Sequence, residues 1–190
     1  MSDARPLECG AYHEAGHTVV AAAQGMSLSI HGVHVDRDGK GISYYDCRKP
    51  EPVRCGLDNK GEHTIISLFA GLIAQQKFCA NCPTTAASED DHWVDRLLPQ
   101  MYLGGASVSE RKTSELKMGE ARLKLREQAS QLVDKHWNAI NTLAKELLAK
   151  PFTPRLPGNW SPLHEERTID GARIVAILKE FDICASLSEQ

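Results

Sequence analysis

Between Ala11 and Ala23 the chain reads Ala-Tyr-His-Glu-Ala-Gly-His-Thr-Val-Val-Ala-Ala-Ala, two histidines and a glutamate set in a run of small and apolar residues. The stretch from Tyr12 to Gln24 has no proline and stops at Gly25, which predicts a helix with a glycine C-cap. Residues four apart on a helix share a face. His13 and His17 therefore aim both imidazoles at one point, with Glu14 beside them, the HExxH pattern in which two histidines hold Zn²⁺ and a glutamate serves as general base towards water at the metal. An accidental match is the competing explanation, and the local context counts against it. A solvated helix would place Lys or Glu around the pair, whereas Ala15, Gly16, Thr18 and Val19 are uncharged, as a helix packed in a core requires. Gly16 costs about 1 kcal/mol in a helix interior, so something must need its missing side chain, such as close packing near a metal.

The remainder of the chain predicts a mainly helical domain with a small β-sheet or hairpin beside this helix. Residues 28–46 change to short alternating runs around Asp36 to Gly41, the pattern of a hairpin. Residues 49–61 read as a loop, Glu62 to Phe78 as a helix buried on most of its surface, and Ser88 towards Tyr102 as a further helix with Pro99 near its end. From Ser109 to Lys150 apolar residues recur at spacings of three and four, predicting one or two long amphipathic helices. Pro151 to Arg167, with four prolines, reads as an extended insertion, after which Thr168 is placed to cap a last helix reaching Phe181.

At 190 residues the chain fits a single domain, with residues 1–10 read as an N-terminal tail. A net charge of −3 offers no footprint for nucleic acid. No run of residues is long and apolar enough to span a bilayer, and the first ten residues, with Asp3, Arg5 and Glu8, do not resemble a secretory signal. A cytoplasmic location is the expectation. The six cysteines (Cys9, Cys47, Cys55, Cys79, Cys82 and Cys184) are too sparse for a disulfide-stapled scaffold and are expected to be thiols or metal ligands. Cys79 and Cys82 form a CxxC which, with Cys47 and Cys55, has the makings of a structural zinc site; unlinked thiols or a local disulfide are the plainer readings.

A catalytic zinc needs a third protein ligand and an open position. His31 and His34 lie on the predicted hairpin and share a face only across a bulge, so they are not expected to be ligands. His63, His92, His136 and His164 read as surface or loop residues, and Glu89-Asp90-Asp91 as either a ligand source or a solvated first turn of a helix. The residue pattern alone leaves these options level.

The sequence around the pentapeptide resembles the zinc-binding helix of the FtsH-type AAA proteases, whose peptidase domains carry HEAGH after an aromatic or similar residue. Downstream, Leu68 to Phe78 is similar to that family's Leu-Ala-Gly-Arg-Ala-Ala-Glu-Glu helix, and Thr84-Thr85-Ala86-Ala87-Ser88-Glu89-Asp90 resembles its Thr-Thr-Gly-Ala-Ser-Asn-Asp segment. Leu143 to Leu148 and Thr168-Ile169-Asp170-Gly171 resemble its last helices, so the likeness runs in order over residues 11–181. The resemblance implies a zincin-like peptidase domain of the FtsH type, with His13, His17 and Asp90 as zinc ligands and Glu14 as the catalytic base. It also implies that the strand around Gly41 to Tyr45 borders the site. Asp91 stands where the family has leucine, the loop carrying Cys79 and Cys82 is longer than the family's, and no phosphate-binding loop occurs in the sequence. The expectation is a zinc endopeptidase that acts without ATP on flexible or unfolded polypeptides, with a homo-oligomer or a separate unfoldase as its partner assembly. The alternative is a zinc-containing peptide-binding or regulatory module of the same fold that does not hydrolyse.

Overall fold

The computed structural model describes residues 6–45, 60–82, 87–102, 111–154 and 165–188. In chain order these form α1 (Pro6–Ala23), β1 (Leu28–Asp36), β2 (Gly41–Tyr45), α2 (Lys60–Phe78), α3 (Ala87–Tyr102), α4 (Arg111–Lys135) and α5 (Trp137–Ala149). β3 (Thr153–Pro154), β4 (Glu165–Ile169), α6 (Gly171–Lys179) and β5 (Leu187–Ser188) follow. The architecture is mainly helical with one small sheet, as the sequence predicts.

α1 is the axis of the molecule. It starts at Pro6, inside what the sequence reads as a tail, because proline suits a first helical turn where its missing N–H has no partner to lose. It ends as expected: Gly25 takes a φ of 78° and its N–H reaches the Ala22 carbonyl at 2.9 Å. Every residue from Cys9 to Ala22 is buried, since α1 is enclosed by α2, α5, β1 and β2. Gly16 meets the expectation of close packing. A β-carbon there would lie 2.6 Å from the Ala70 carbonyl oxygen and 2.7 Å from Ala74 Cβ, so α1 and α2 approach almost backbone to backbone. Tyr12 fixes the same assembly from the side, stacking on Phe78 and Trp137 with centroids 4.0 and 5.7 Å away while its hydroxyl donates to Asn141 Oδ1 at 2.6 Å.

The strand order is β2-β1-β4-β3, with β5 added in parallel along the start of β1. β1 pairs antiparallel with β2 and with β4. In the turn between β1 and β2, the Asp36 carboxylate accepts N–H bonds from Asp38 and Lys40, both 2.9 Å, which closes the hairpin as the sequence predicts. The β1–β2 register shifts between Leu28 and Val33, a stretch that includes Gly32, whose φ of 70° and lack of a side chain let it lie against the Ile169 carbonyl of β4.

Four further expectations are corrected or sharpened. Thr168 does not cap the last helix: it lies in β4 opposite His34, and Asp170 is the cap, its side chain accepting from the Arg173 N–H at 2.8 Å. The extended insertion contributes β3 and most of β4 to the sheet at its two ends, with 155–164 and His164 outside the described residues. α3 continues through Pro99 to Tyr102, and the long amphipathic region divides at His136 into α4 and α5.

The cysteines depart most from expectation. Cys9 and Cys82 form a disulfide, with Cα atoms 6.1 Å apart across 73 residues of sequence, a spacing the bond accommodates. Cys82 is therefore not a structural zinc ligand. Cys79 and Cys184 are free thiols, while Cys47 and Cys55 lie outside the described residues. Among the described residues no helix is long and apolar enough to cross a membrane.

Candidate metal centre

α1 carries His13 and His17 one turn apart, and the first turn of α3 brings Asp90 to them. Asp90 Oδ2 lies 2.9 Å from His13 Nε2 and 3.2 Å from His17 Nε2, and the two Nε2 atoms are 2.9 Å apart. Both histidines are nearly inaccessible, at 2% and 5% exposure. No other group of three or more His, Cys, Asp or Glu side chains among the described residues gathers its donor atoms in this way.

The opposite edges of the rings explain the arrangement. His17 Nδ1 lies 2.7 Å from the Ser67 carbonyl, and His13 Nδ1 lies 3.1 Å from Gln75 Oε1. A carbonyl oxygen only accepts, so each neutral ring keeps its proton on Nδ1 and turns the lone pair of Nε2 towards Asp90. Asp90 Oδ2, itself buried, then receives no hydrogen bond, and three electron-rich atoms face one point. Such a cluster requires positive charge. Burial alone depresses the His17 pKa, but the Asp90 carboxylate outweighs it and holds the ring up to about 9. Burial likewise works against ionised Asp90, and the imidazoles overcome it once they carry the positive charge, keeping that carboxyl well below the usual range.

A divalent cation satisfies the same demand. Two imidazole nitrogens and a carboxylate oxygen form a donor set that zinc accepts, and tetrahedral bonds of about 2.1 Å set donors a little over 3 Å apart, close to the separations here. The orphaned Oδ2 and the outward-held Nδ1 protons make the residues fit a metal.

Glu14 is 4% exposed and lies on the β2 side of α1. A β-carbon on Gly41 would stand 2.3 Å from Glu14 Cγ, so β2 passes directly over this side chain, and the Ser43 side chain hydrogen-bonds to its carboxyl group. Burial raises the Glu14 pKa above the ordinary carboxylate range, offset in part by the two imidazoles and Ser43. β2 pairs only with β1 among the described residues, so its other side is a sheet edge adjoining Glu14.

Asp91, the neighbouring carboxylate, turns away: it accepts from Arg122 Nη2 at 3.0 Å, and Arg122 also pairs with Asp95, joining α3 to α4. His34 Nδ1 bonds to Glu166 and Thr168 on the sheet, and His31, His63, His92 and His136 stay outside the cluster. Sequence reading missed Ser67, Gly71 and Gln75. Their spacing of four residues places them on one face of α2, the face that meets both imidazoles: Gly71 accommodates the His17 ring, and Ser67 and Gln75 hold the Nδ1 protons. Nothing in their residue types marks them in the sequence, because one acts through its backbone carbonyl, one through an absent side chain and one through a neutral amide.

No protein-family model matches the chain, and no curated protein matches it, so the convergence of His13, His17 and Asp90 beside Glu14 is the ground for a functional reading.

Proposed function

We propose that the chain is a zinc-dependent endopeptidase with a zincin-like domain of the FtsH type. The observation that carries this reading is the convergence of His13, His17 and Asp90 on one point with a buried glutamate alongside and, next to it, a strand edge that no other described strand pairs with. His13, His17 and Asp90 would hold the zinc, which when bound supplies a Lewis acid for the attacking water and the scissile carbonyl. Ser67 and Gln75 keep both imidazoles in the ligating tautomer. Glu14 takes the proton of the attacking water on a carboxyl oxygen and passes it to the departing amine. Its raised pKa strengthens it as a base relative to an exposed carboxylate. Ser43 steadies that carboxylate from β2. The β2 edge, unpaired among the described residues, would offer backbone N–H and C=O groups to an extended polypeptide, which favours flexible or unfolded substrates and requires no nucleotide.

The test is zinc content by elemental analysis together with hydrolysis of casein before and after chelation. The expected result is about one zinc per chain and casein cleavage that disappears on chelation and returns with added zinc. Zinc-loaded protein that never cleaves casein or a flexible peptide would leave the non-hydrolytic module in its place.

A further inference from the structure

Cys9 precedes His13 by four residues, so Cys9, His13 and His17 follow one another along the same face of α1. The Cys9–Cys82 bond joins that face to the segment that leads, eight residues later, to Asp90. It therefore ties together the two parts of the chain that supply the metal donors. Cys9 and Cys82 are 3% and 8% exposed, while Cys79 is a half-buried free thiol. Cys79 also ends α2: its N–H reaches the Gln75 carbonyl at 2.9 Å, and the Cys82 N–H reaches the Cys79 carbonyl at 3.1 Å. Such a turn keeps its end residues within about 7 Å, a separation a disulfide accepts near its lower values. Cys82 is thus bonded to one cysteine across the fold and shares a turn with a second.

We propose that Cys9–Cys82 is a clamp on the metal cradle and that Cys79 is the thiol that opens it by disulfide exchange. The Cys79 thiolate attacks the Cys82 sulfur, and the Cys79–Cys82 bond forms as the Cys9–Cys82 bond breaks. The electron pair leaves on the Cys9 sulfur, which takes up the proton Cys79 gave up, so no external oxidant or reductant is consumed. With the bond moved into the 79–82 turn, α1 loses its covalent tether to the segment that leads to Asp90, the α1–α2 packing alone remains, and the cradle loses part of its preorganisation. The effect on metal rests on the zinc reading above, whereas the exchange stands on the Cys9–Cys82 bond and the 79–82 turn alone.

The experiment uses the full chain purified without reductant. Free thiols are alkylated and disulfides mapped by mass spectrometry after incubation at mildly alkaline pH, for the unmodified sequence and for Cys79→Ser. In parallel, zinc is titrated against a chromophoric chelator for the oxidised protein, the phosphine-reduced protein, Cys9→Ser and Cys79→Ser. The expected map contains a Cys79–Cys82 linkage with alkylated Cys9, absent in Cys79→Ser. The expected zinc affinity falls by about tenfold or more on reduction and in Cys9→Ser, and is kept in oxidised Cys79→Ser. A map that holds Cys9–Cys82 alone, with Cys79 always alkylated, overturns the exchange. Indistinguishable zinc affinity in the oxidised, reduced and Cys9→Ser proteins overturns the clamp. Exchange on the map with no zinc bound by any form supports the sulfur switch and overturns the reading of the cradle as a metal site.

Discussion

Gly71 of α2 lies flat against the His17 imidazole, so close that a β-carbon on it would stand 2.4 Å from both Nε2 and Cε1. The ring is pinned between this glycine, the Ser67 carbonyl and Asp90. Gly71→Ala should therefore push the ring out of its ligating position or force α1 from α2, with a stability loss of about 1–3 kcal/mol and much of the zinc gone. Elemental analysis and thermal unfolding check it, and an alanine variant with full zinc and an unchanged Tm would mean that the helices yield without moving His17.

Gln75 holds the Nδ1 proton of His13 from a fully buried position. Gln75→Leu removes the acceptor at nearly constant volume, and zinc affinity should weaken by about 10- to 100-fold. Gln75→Glu retains an acceptor and should retain the metal. Competition with a chelator separates the two variants, and equal affinities would show that Gln75 has no part in orienting the ring.

Asp90 and Asp91 are adjacent in sequence but face different partners, the histidines and Arg122. Asp90→Ala should lose zinc. Asp91→Ala should keep it and cost only an exposed ion pair, about 0–1 kcal/mol. The opposite outcome in zinc content reverses the assignment.

The two-histidine helix was legible in sequence because histidines four apart among small, uncharged neighbours admit few other readings, and the Asp36 to Gly41 turn was legible through its turn residues. The α2 contribution was not, since Ser67, Gly71 and Gln75 act through a backbone carbonyl, an absent side chain and a neutral amide, none of which carries a charge pattern. The Cys9–Cys82 pair joins positions 73 residues apart, and spacing does not encode which cysteines meet in space. Thr168 read as a helix cap by residue type, yet its strand pairs with β1 and hands the cap to Asp170. In that case tertiary pairing overrode a local signal of the right kind at the wrong position.

Acid should loosen the contact between α5 and α6. Arg173 binds Glu146 through two hydrogen bonds, at 2.8 and 2.7 Å, and this pairing, first by hydrogen bonding, holds the Glu146 carboxyl below its ordinary value of 4.5. A carboxyl with a depressed pKa in the folded state stabilises fully above the unfolded value and loses that contribution as pH falls through the folded one. The pair is exposed and the effect is small. Thermal unfolding of Glu146→Gln should trail the parent at neutral pH and converge with it as pH falls below 4.5; a gap that stays constant into acid would assign the difference to packing instead.

The central claim, that the cradle holds zinc while Glu14 performs the proton transfer, is tested most directly by Glu14→Gln assayed for zinc content and casein hydrolysis on the same preparation. The variant removes the base and no ligand, so zinc should remain at the parent's level while hydrolysis falls by about 10²-fold or more. Parent-level hydrolysis in the zinc-loaded variant would contradict the account.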